Sequence, residues 1–382
     1  MDFNLSREQQ MLSEVVQNFA AKEYTFAKRR EILESTDGWS RKVWSSLAEM
    51  GLLALQVPEE YGGMGSASIE TMLTMTAVGR GLLLEPYLPS AILATALIRE
   101  LGSPDQKQKL LPALAAGERI SVPAHAERGS RYDLSRIATS AVRKGDGFVL
   151  KGIKTVVLHA AAADFLLVSA RTAGNADAEQ GISLFAVERN ATGVSLQSYP
   201  TLDGQRAADV TLRDAQVPRE ALLGPEGGAF PAISAAWDLG IAALCAEAVG
   251  ALEAIFQATV DYTRTRKQFD VPIAHFQALQ HRMAEMMIHV EQAKSMSYLA
   301  AMRCTEPDAA VRGRAVSAAK VLVGQACRRV GQEAVQLHGG MGMTDELSVS
   351  HYFKRLTAIE LSLGDTEHHL ERFARFPVAE LS

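Results

Sequence analysis

The period of hydrophobic residues changes twice along this chain, and that limits the folds open to it. Up to about residue 118 the spacing is helical. Met11, Leu12, Val15, Val16 and Phe19 recur on one face behind a Ser6/Gln9 capping-box pattern. Ser103-Pro104-Asp105 starts another helix, with Pro104 at the first helical position, where its missing N–H costs nothing. From near 120 the text turns to short β-type runs: Phe148–Leu150, Phe165–Val168, Ile182–Val187 and Val210–Leu212. Lys144-Gly145-Asp146-Gly147 reads as a hairpin turn, since Asp-Gly tolerates positive φ. Helical spacing returns from about 230. One segment runs to about 264, and a second from His275 to Arg303, with Phe276, Leu279, Met283, Met286, Met287 and Val290 on one face; its methionines read as core packing and only secondarily as a cofactor wall. Glu306-Pro307 breaks it, and Asp308 caps a third helix carrying Ala315, Ala319, Val323, Ala326 and Val330, small enough to let neighbours approach. A further helix is expected over about 345–375. The expected fold is mainly α with a central β domain: an N-terminal helical domain over 1–118, a β barrel or sandwich over 119–226, and a C-terminal four-helix bundle over 227–382.

Composition removes several function classes. A net charge of −5 argues against a nucleic-acid binder, which carries a basic excess or stripe. Cys245, Cys304 and Cys327 lie far apart without metal spacing and read as buried thiols in a reducing compartment. His368-His369 are neighbours on a helix and point in different directions, so no metal site is expected. Met1-Asp2-Phe3-Asn4 has no basic n-region or apolar h-region, and no run approaches the ~18 apolar residues of a membrane span. The expectation is a cytoplasmic protein. Gly62-Gly63-Met64-Gly65 reads as a plain turn.

Two segments point to chemistry. Tyr262-Thr-Arg-Thr-Arg266-Lys-Gln268-Phe269-Asp270-Val-Pro-Ile273 places a guanidinium beside an amide and an aromatic ring. Gln336-Leu337-His338-Gly339-Gly340-Met341-Gly342 adds a second amide and a glycine turn. An arginine fork matches phosphate oxygens bidentately, and glycine lets backbone approach where a side chain would collide. Together they suit a phosphate-bearing aromatic cofactor. Taken alone, Arg266 reads rather as a surface arginine answering a helix dipole; the neighbouring segment turns the reading to binding.

These segments stand in a longer series. Gln106-Lys107…Leu111-Pro112…Gly117-Glu118, Gly129-Ser130, Gly152-Ile153-Lys154, Val217-Pro218…Leu223-Gly224, Arg266-Lys267-Gln268-Phe269…Pro272-Ile273…Phe276-Gln277 and Gln336-x-x-Gly339-Gly340-x-Gly342 occur in order. The series resembles the acyl-CoA dehydrogenase family over essentially the whole chain. The resemblance implies an FAD enzyme that oxidises the α,β bond of an acyl-CoA thioester, with a carboxylate removing the α-proton and the flavin taking the β-hydride. It implies an electron-transfer flavoprotein as acceptor, and tetramers whose flavins sit at subunit interfaces. Carried over, Arg266 would pair with the FAD pyrophosphate. Gln268 and Phe269 would line the cofactor, and Gln336, Gly339 and Gly340 would meet its adenosine–pyrophosphate end. Ser130 would stand at the substrate site.

The rest of the pattern departs. Where the family carries the catalytic glutamate before a glycine, Leu363 precedes Gly364. The alternative base position on the first long bundle helix holds Gly240. After Gly152-Ile153-Lys154 the family's flavin-flanking tryptophan is missing from Thr155-Val156-Val157. The T-E-P-x-x-G-S-D stretch has become Ala124-His125-Ala126-Glu127-Arg128-Gly129-Ser130-Arg131, and Asp270 replaces a glycine. No catalytic residue is therefore assigned; Glu247, Asp365 and Glu367 are the carboxylates left to consider. What is retained is what one chain gives to its neighbour's flavin. This resembles the small subunit of α2β2 enzymes of the pimeloyl-CoA or steroid-CoA type, paired with a paralogous acyl-CoA dehydrogenase chain. Two alternatives stand beside it: a homomeric flavoenzyme with a relocated base or altered chemistry, such as a desulfinase, and a non-catalytic scaffold with the same fold.

Overall fold

Several helices start at a residue whose side chain caps them. The computed structural model describes residues 5–65 and 68–376; Met1-Asp2-Phe3-Asn4, read above for a leader, lie outside the described residues. Ser6 caps α1 (Arg7–Glu23) through the reciprocal bonds of a capping box with Gln9. α2 (Phe26–Glu34), α3 (Arg41–Glu49) and α4 (Ser68–Gly81) follow. A fully buried π-helical stretch, Tyr87–Ala94, then runs into α5 (Thr95–Leu101). Ser103 and Gln106 form a second capping box on α6 (Pro104–Ala115), with Pro104 opening the helix.

The middle of the chain is β. The strands are β1 (Ser121–Ala124), β2 (Ser140–Lys144), β3 (Gly147–Leu158), β4 (Phe165–Arg171), β5 (Ile182–Glu188), β6 (Val194–Pro200), β7 (Arg206–Pro218) and β8 (Leu222–Leu223). They form one sheet in the order β6-β7-β3-β2-β4-β5-β8, and β1 pairs in parallel with β4. The hairpin joins β2 to β3 with Lys144 opposite Gly147, and its positive φ falls on Gly145 rather than Asp146.

The helical part resumes with α7 (Phe230–Thr265). A small hairpin of β9 (Lys267–Gln268) and β10 (Val271–Pro272) leads to α8 (Gln277–Arg303) and α9 (Ala309–His338), the latter capped by Asp308. The single helix expected over 345–375 is two: α10 (Ser348–Leu361) and α11 (Thr366–Arg375). The break falls where Leu363 and Gly364 take positive φ, which no continuing helix allows. The order of helices, β domain and helices is the expected one. Met287 is not core: Met286 and Val290 are buried, whereas Met287 is 42% exposed, one step round the helix from that stripe. α7 is long and apolar enough to cross a membrane, contrary to the reading that no run comes close, but most of its apolar window is buried within the fold.

Packing gathers the chain into two units that ignore sequence order. One takes Met1–Glu31, Ser68–Leu83 and Ile241–Ser382; the other takes Ile32–Ala67 and Leu84–Gly240. Within the first, α4 and α7 meet backbone to backbone. A Cβ on Gly79 would lie 1.8 Å from the Glu247 carbonyl oxygen, and one on Gly250 1.8 Å from that of Thr76. Only glycine fits at such a crossing.

Each unit also buries a histidine. His125 packs on the Trp237 ring at 4.9 Å, and His369 is fully buried against Ser317 and the Leu363 carbonyl. Burial, reinforced by Lys154 near His125 and Lys320 near His369, pushes both imidazoles down to about 3. In the unfolded chain each titrates near about 6.5. Stability is therefore full above about pH 6.5 and falls as pH drops toward 3, because only the unfolded chain takes up these protons. The expected loss is about 2 kcal/mol per histidine by pH 5. Urea midpoints measured from pH 7 to pH 5 should fall accordingly, and His125→Leu should flatten the slope; a flat wild-type profile would contradict it.

Candidate functional site

Arg266 stands just past the C-terminal end of α7, exposed, on the entry to the β9–β10 hairpin. Its N–H still donates to the Tyr262 carbonyl at 2.8 Å, the last bond of the helical ladder. The hairpin closes through Phe269 and Asp270, at φ of 53° and 65°. Two positive φ values are what a two-residue turn of this kind demands, and Asp tolerates them better than most residues. This is why a glycine suits position 270 and why Asp270 is a mild departure. A bulky residue such as Phe269 pays strain there, yet its ring is 87% exposed. Phe276 meets it edge to face at 6.0 Å. An arginine, the exposed Gln268 and a strained, bare aromatic ring thus share one small turn.

The second segment ends α9. Gln336 is exposed, and Gly339 closes the helix at φ 60°, ψ −143°, a conformation close to glycine-only territory. A Cβ on Gly339 or Gly340 would meet nothing within 4 Å, so the side-chain face of both glycines is open, while the Gly339 N–H donates to the Gln336 carbonyl. Gly342 is different: its Cβ would lie 2.7 Å from the Val335 carbonyl oxygen, and it serves the turn itself. The Arg266 and Gly339 segments are adjacent. The His338 ring stacks on Tyr262 at 4.3 Å and 25°, and the Tyr262 hydroxyl donates to the His338 carbonyl at 3.4 Å. Tyr262 and His338 lie inside the two segments that sequence reasoning singled out, but it gave them no part.

Two of the three carboxylates considered as bases are otherwise engaged. Glu247 is buried and accepts two bonds from Arg355, at 2.6 Å from Nε and 2.8 Å from Nη2. A carboxylate gripped by a guanidinium fork has both oxygens committed. Asp365 caps α11 by accepting from the His368 N–H at 2.8 Å. Glu367 is exposed in the first turn of that helix. Leu363 sits in the turn between α10 and α11 at φ 56°. Two buried side chains hold that turn: Lys320 donates to the carbonyls of Glu360 (2.9 Å) and Gly364 (2.6 Å), and His369 Nε2 donates to that of Leu363 (3.0 Å). Glu360 bonds Thr366 and Arg328 on its other side. The turn is well determined, and a leucine occupies it. Among the described residues no three His, Cys, Asp or Glu side chains gather as a metal site.

The β unit keeps its frame and loses its ring. Thr155 and Val156 form a bulge on β3 opposite β7, where pairing steps from Lys154↔Val210 to Val157↔Ala208. Val156 holds φ 52°, unusual for a β-branched residue, and its N–H donates to Asp209 at 3.3 Å. The side chain there is a 56% exposed isopropyl group. Lys154 is fully buried and donates to Glu127 (2.7 Å), Ser169 (3.0 Å) and the His125 carbonyl (3.1 Å). Glu127, two residues beyond the glutamate position of the expected stretch, is thus the partner of that lysine. The Ser130 hydroxyl closes its own turn, donating to the Glu127 carbonyl (2.9 Å) and accepting from the Glu127 N–H (3.2 Å).

Three family matches run along the chain in order. The acyl-CoA dehydrogenase N-terminal domain matches residues 6–118, the middle domain residues 123–214 and the C-terminal domain residues 230–376. The chain is 30% identical over 372 residues to the probable acyl-CoA dehydrogenase YngJ of Bacillus subtilis, covering 96% of this chain and 97% of that one. It is 29% identical to the short-chain-specific acyl-CoA dehydrogenase of Clostridium acetobutylicum, covering 96% and 97%. Among solved structures it is similar to a chain of the ChsE4–ChsE5 complex from Mycobacterium tuberculosis, with a TM-score of 0.89 and 29% identity over 99% of this chain and all of the other.

Proposed function

Because the chain belongs to the acyl-CoA dehydrogenase family, a family of FAD-dependent oxidoreductases, we propose that it is one subunit of a heteromeric acyl-CoA dehydrogenase. In this reading it lends the diphosphate-binding half of a flavin site to a paralogous catalytic chain, in an α2β2 assembly. The observation that carries it is the contrast between two exposed, intact segments and a base position filled by a firmly held leucine.

The residues at the first of these fit FAD. Arg266 offers a guanidinium fork to the diphosphate, and Gly339 and Gly340 present peptides with no neighbour where a side chain would stand. Gln268, Phe269 and Gln336 supply amides and a ring around them. When bound, FAD supplies the hydride acceptor for oxidation of the acyl α,β bond. This chain's residues bind and orient its diphosphate end. They do not remove the α-proton. Leu363 has no basic atom, Glu247 is paired with Arg355, and Asp365 caps a helix. The base belongs to the partner in this reading, and the electrons pass on to an electron-transfer flavoprotein. The solved ChsE4–ChsE5 complex supports the two-chain arrangement by similarity.

The test is dye reduction driven by acyl-CoA, for the chain expressed alone and together with a paralogue that carries glutamate at the position of Leu363. Activity is expected only for the pair, and it should vanish when that glutamate becomes glutamine. Turnover by the lone chain would favour a homomeric enzyme with altered chemistry. A pair that holds no flavin would favour a scaffold.

A further inference from the structure

The two cofactor segments come at the ends of different helices, and a ring pair joins them. We propose that Tyr262 and His338 are positioning residues whose stacked rings set the spacing between the Arg266 guanidinium and the Gly339–Gly340 peptides, so that both grip one diphosphate. The inference rests on the reading that these segments hold the FAD diphosphate.

Each ring is tied to its segment by backbone. Tyr262 lies one helical turn before Arg266, and its carbonyl accepts the Arg266 N–H at 2.8 Å. A shift of Tyr262 therefore carries the start of the hairpin with it. His338 directly precedes Gly339, and its Nδ1–H donates to the Ala334 carbonyl at 2.8 Å, which pins the ring against its own helix. The ring centroids are 4.3 Å apart at 25°, and the Tyr262 hydroxyl reaches the His338 carbonyl. Stacking of this kind fixes both distance and orientation between two helices.

The far side of the glycine turn is fastened independently. Thr344 bonds the Met341 carbonyl at 3.1 Å, and His351 Nε2 donates to the Asp345 carbonyl at 3.1 Å. His351 Nδ1 in turn accepts from the buried Arg29 at 2.7 Å, and Arg29 Nε holds the Leu82 carbonyl at 2.9 Å. The turn is thus anchored at both ends and bare at Gly339 and Gly340. A stretch held this way pre-sets its exposed peptides before a ligand arrives, which lowers the ordering cost of binding. The Tyr262–His338 end is the one that also sets where Arg266 lies.

The experiment measures FAD rebinding to the apo form of the complete flavin-holding assembly, by quenching of flavin fluorescence. His338→Ala and Tyr262→Leu should each raise Kd about tenfold, while His338→Phe, which keeps a ring face, should stay within about twofold of wild type. Tyr262→Leu fills similar space without a ring face, so the test stands even if His338→Ala folds poorly. Equal losses for His338→Phe and His338→Ala would overturn the proposal, since the stack would then not be the acting element. So would wild-type affinity for His338→Ala and Tyr262→Leu beside a large loss for Arg266→Ala, with the diphosphate reading left intact. If Arg266→Ala itself binds FAD normally, the diphosphate reading fails and this inference with it.

Discussion

Replacing Arg355 with methionine should destabilise the chain by about 3–5 kcal/mol, the largest effect expected of a single side chain here. Arg355 and Glu247 are both buried and joined by two bonds of 2.6 and 2.8 Å. Methionine fills much of the arginine's volume but offers no donor. Glu247 would remain as a carboxylate out of water without its partner, and that desolvation is what costs. The double variant Glu247→Gln/Arg355→Met should recover most of the loss, because a neutral amide is far cheaper to bury than an unpaired charge. Chemical unfolding of the three variants measures this. If the single variant unfolds like wild type, the pair is not the anchor described, and Glu247 returns as a candidate for chemistry. The pair therefore bears on function as well as stability: it occupies the buried carboxylate two helical turns beyond Gly240 on the same helix.

Arg266→Ala should weaken FAD binding by about 2–3 kcal/mol, near a hundredfold in Kd, since a charged bidentate contact to phosphate is lost. Arg266→Lys should recover only part of it, because a point charge does not match two oxygens as the planar fork does. Neither change should alter folding much: Arg266 is exposed and its backbone bond to Tyr262 survives substitution. Normal affinity in the alanine variant would return Arg266 to the reading of a surface arginine at a helix end.

Much of this was legible in the sequence, for reasons that can be named. The capping box at Ser6/Gln9, the helix start at Ser103-Pro104, the Asp308 cap and the Lys144–Gly147 hairpin depend on residues within four positions of one another, and each is as expected. Asp270 shows how a motif position encodes geometry, since its φ of 65° is why glycine suits the place. What was not legible depends on long-range contacts. Glu247 could be weighed as a base only until Arg355 was found across the bundle. The α10–α11 break is fixed by Lys320 and His369, which hydrophobic periodicity does not flag because both are polar residues inside the core. Glu127 as the partner of Lys154, and Tyr262 stacked on His338, belong to the same class. Met287 was misjudged by one step of helical rotation, the ordinary error when apolar residues adjoin a buried stripe.

The central claim is that this chain gives a flavin its diphosphate anchors and no base. The most direct measurement is the ratio of FAD to protein in the complex purified with its paralogue, read from flavin absorbance after denaturation against total chain concentration. The account predicts one FAD for every two chains, lost when Arg266 of this chain becomes alanine. One FAD for every chain, or full loading of this chain purified alone, would contradict it.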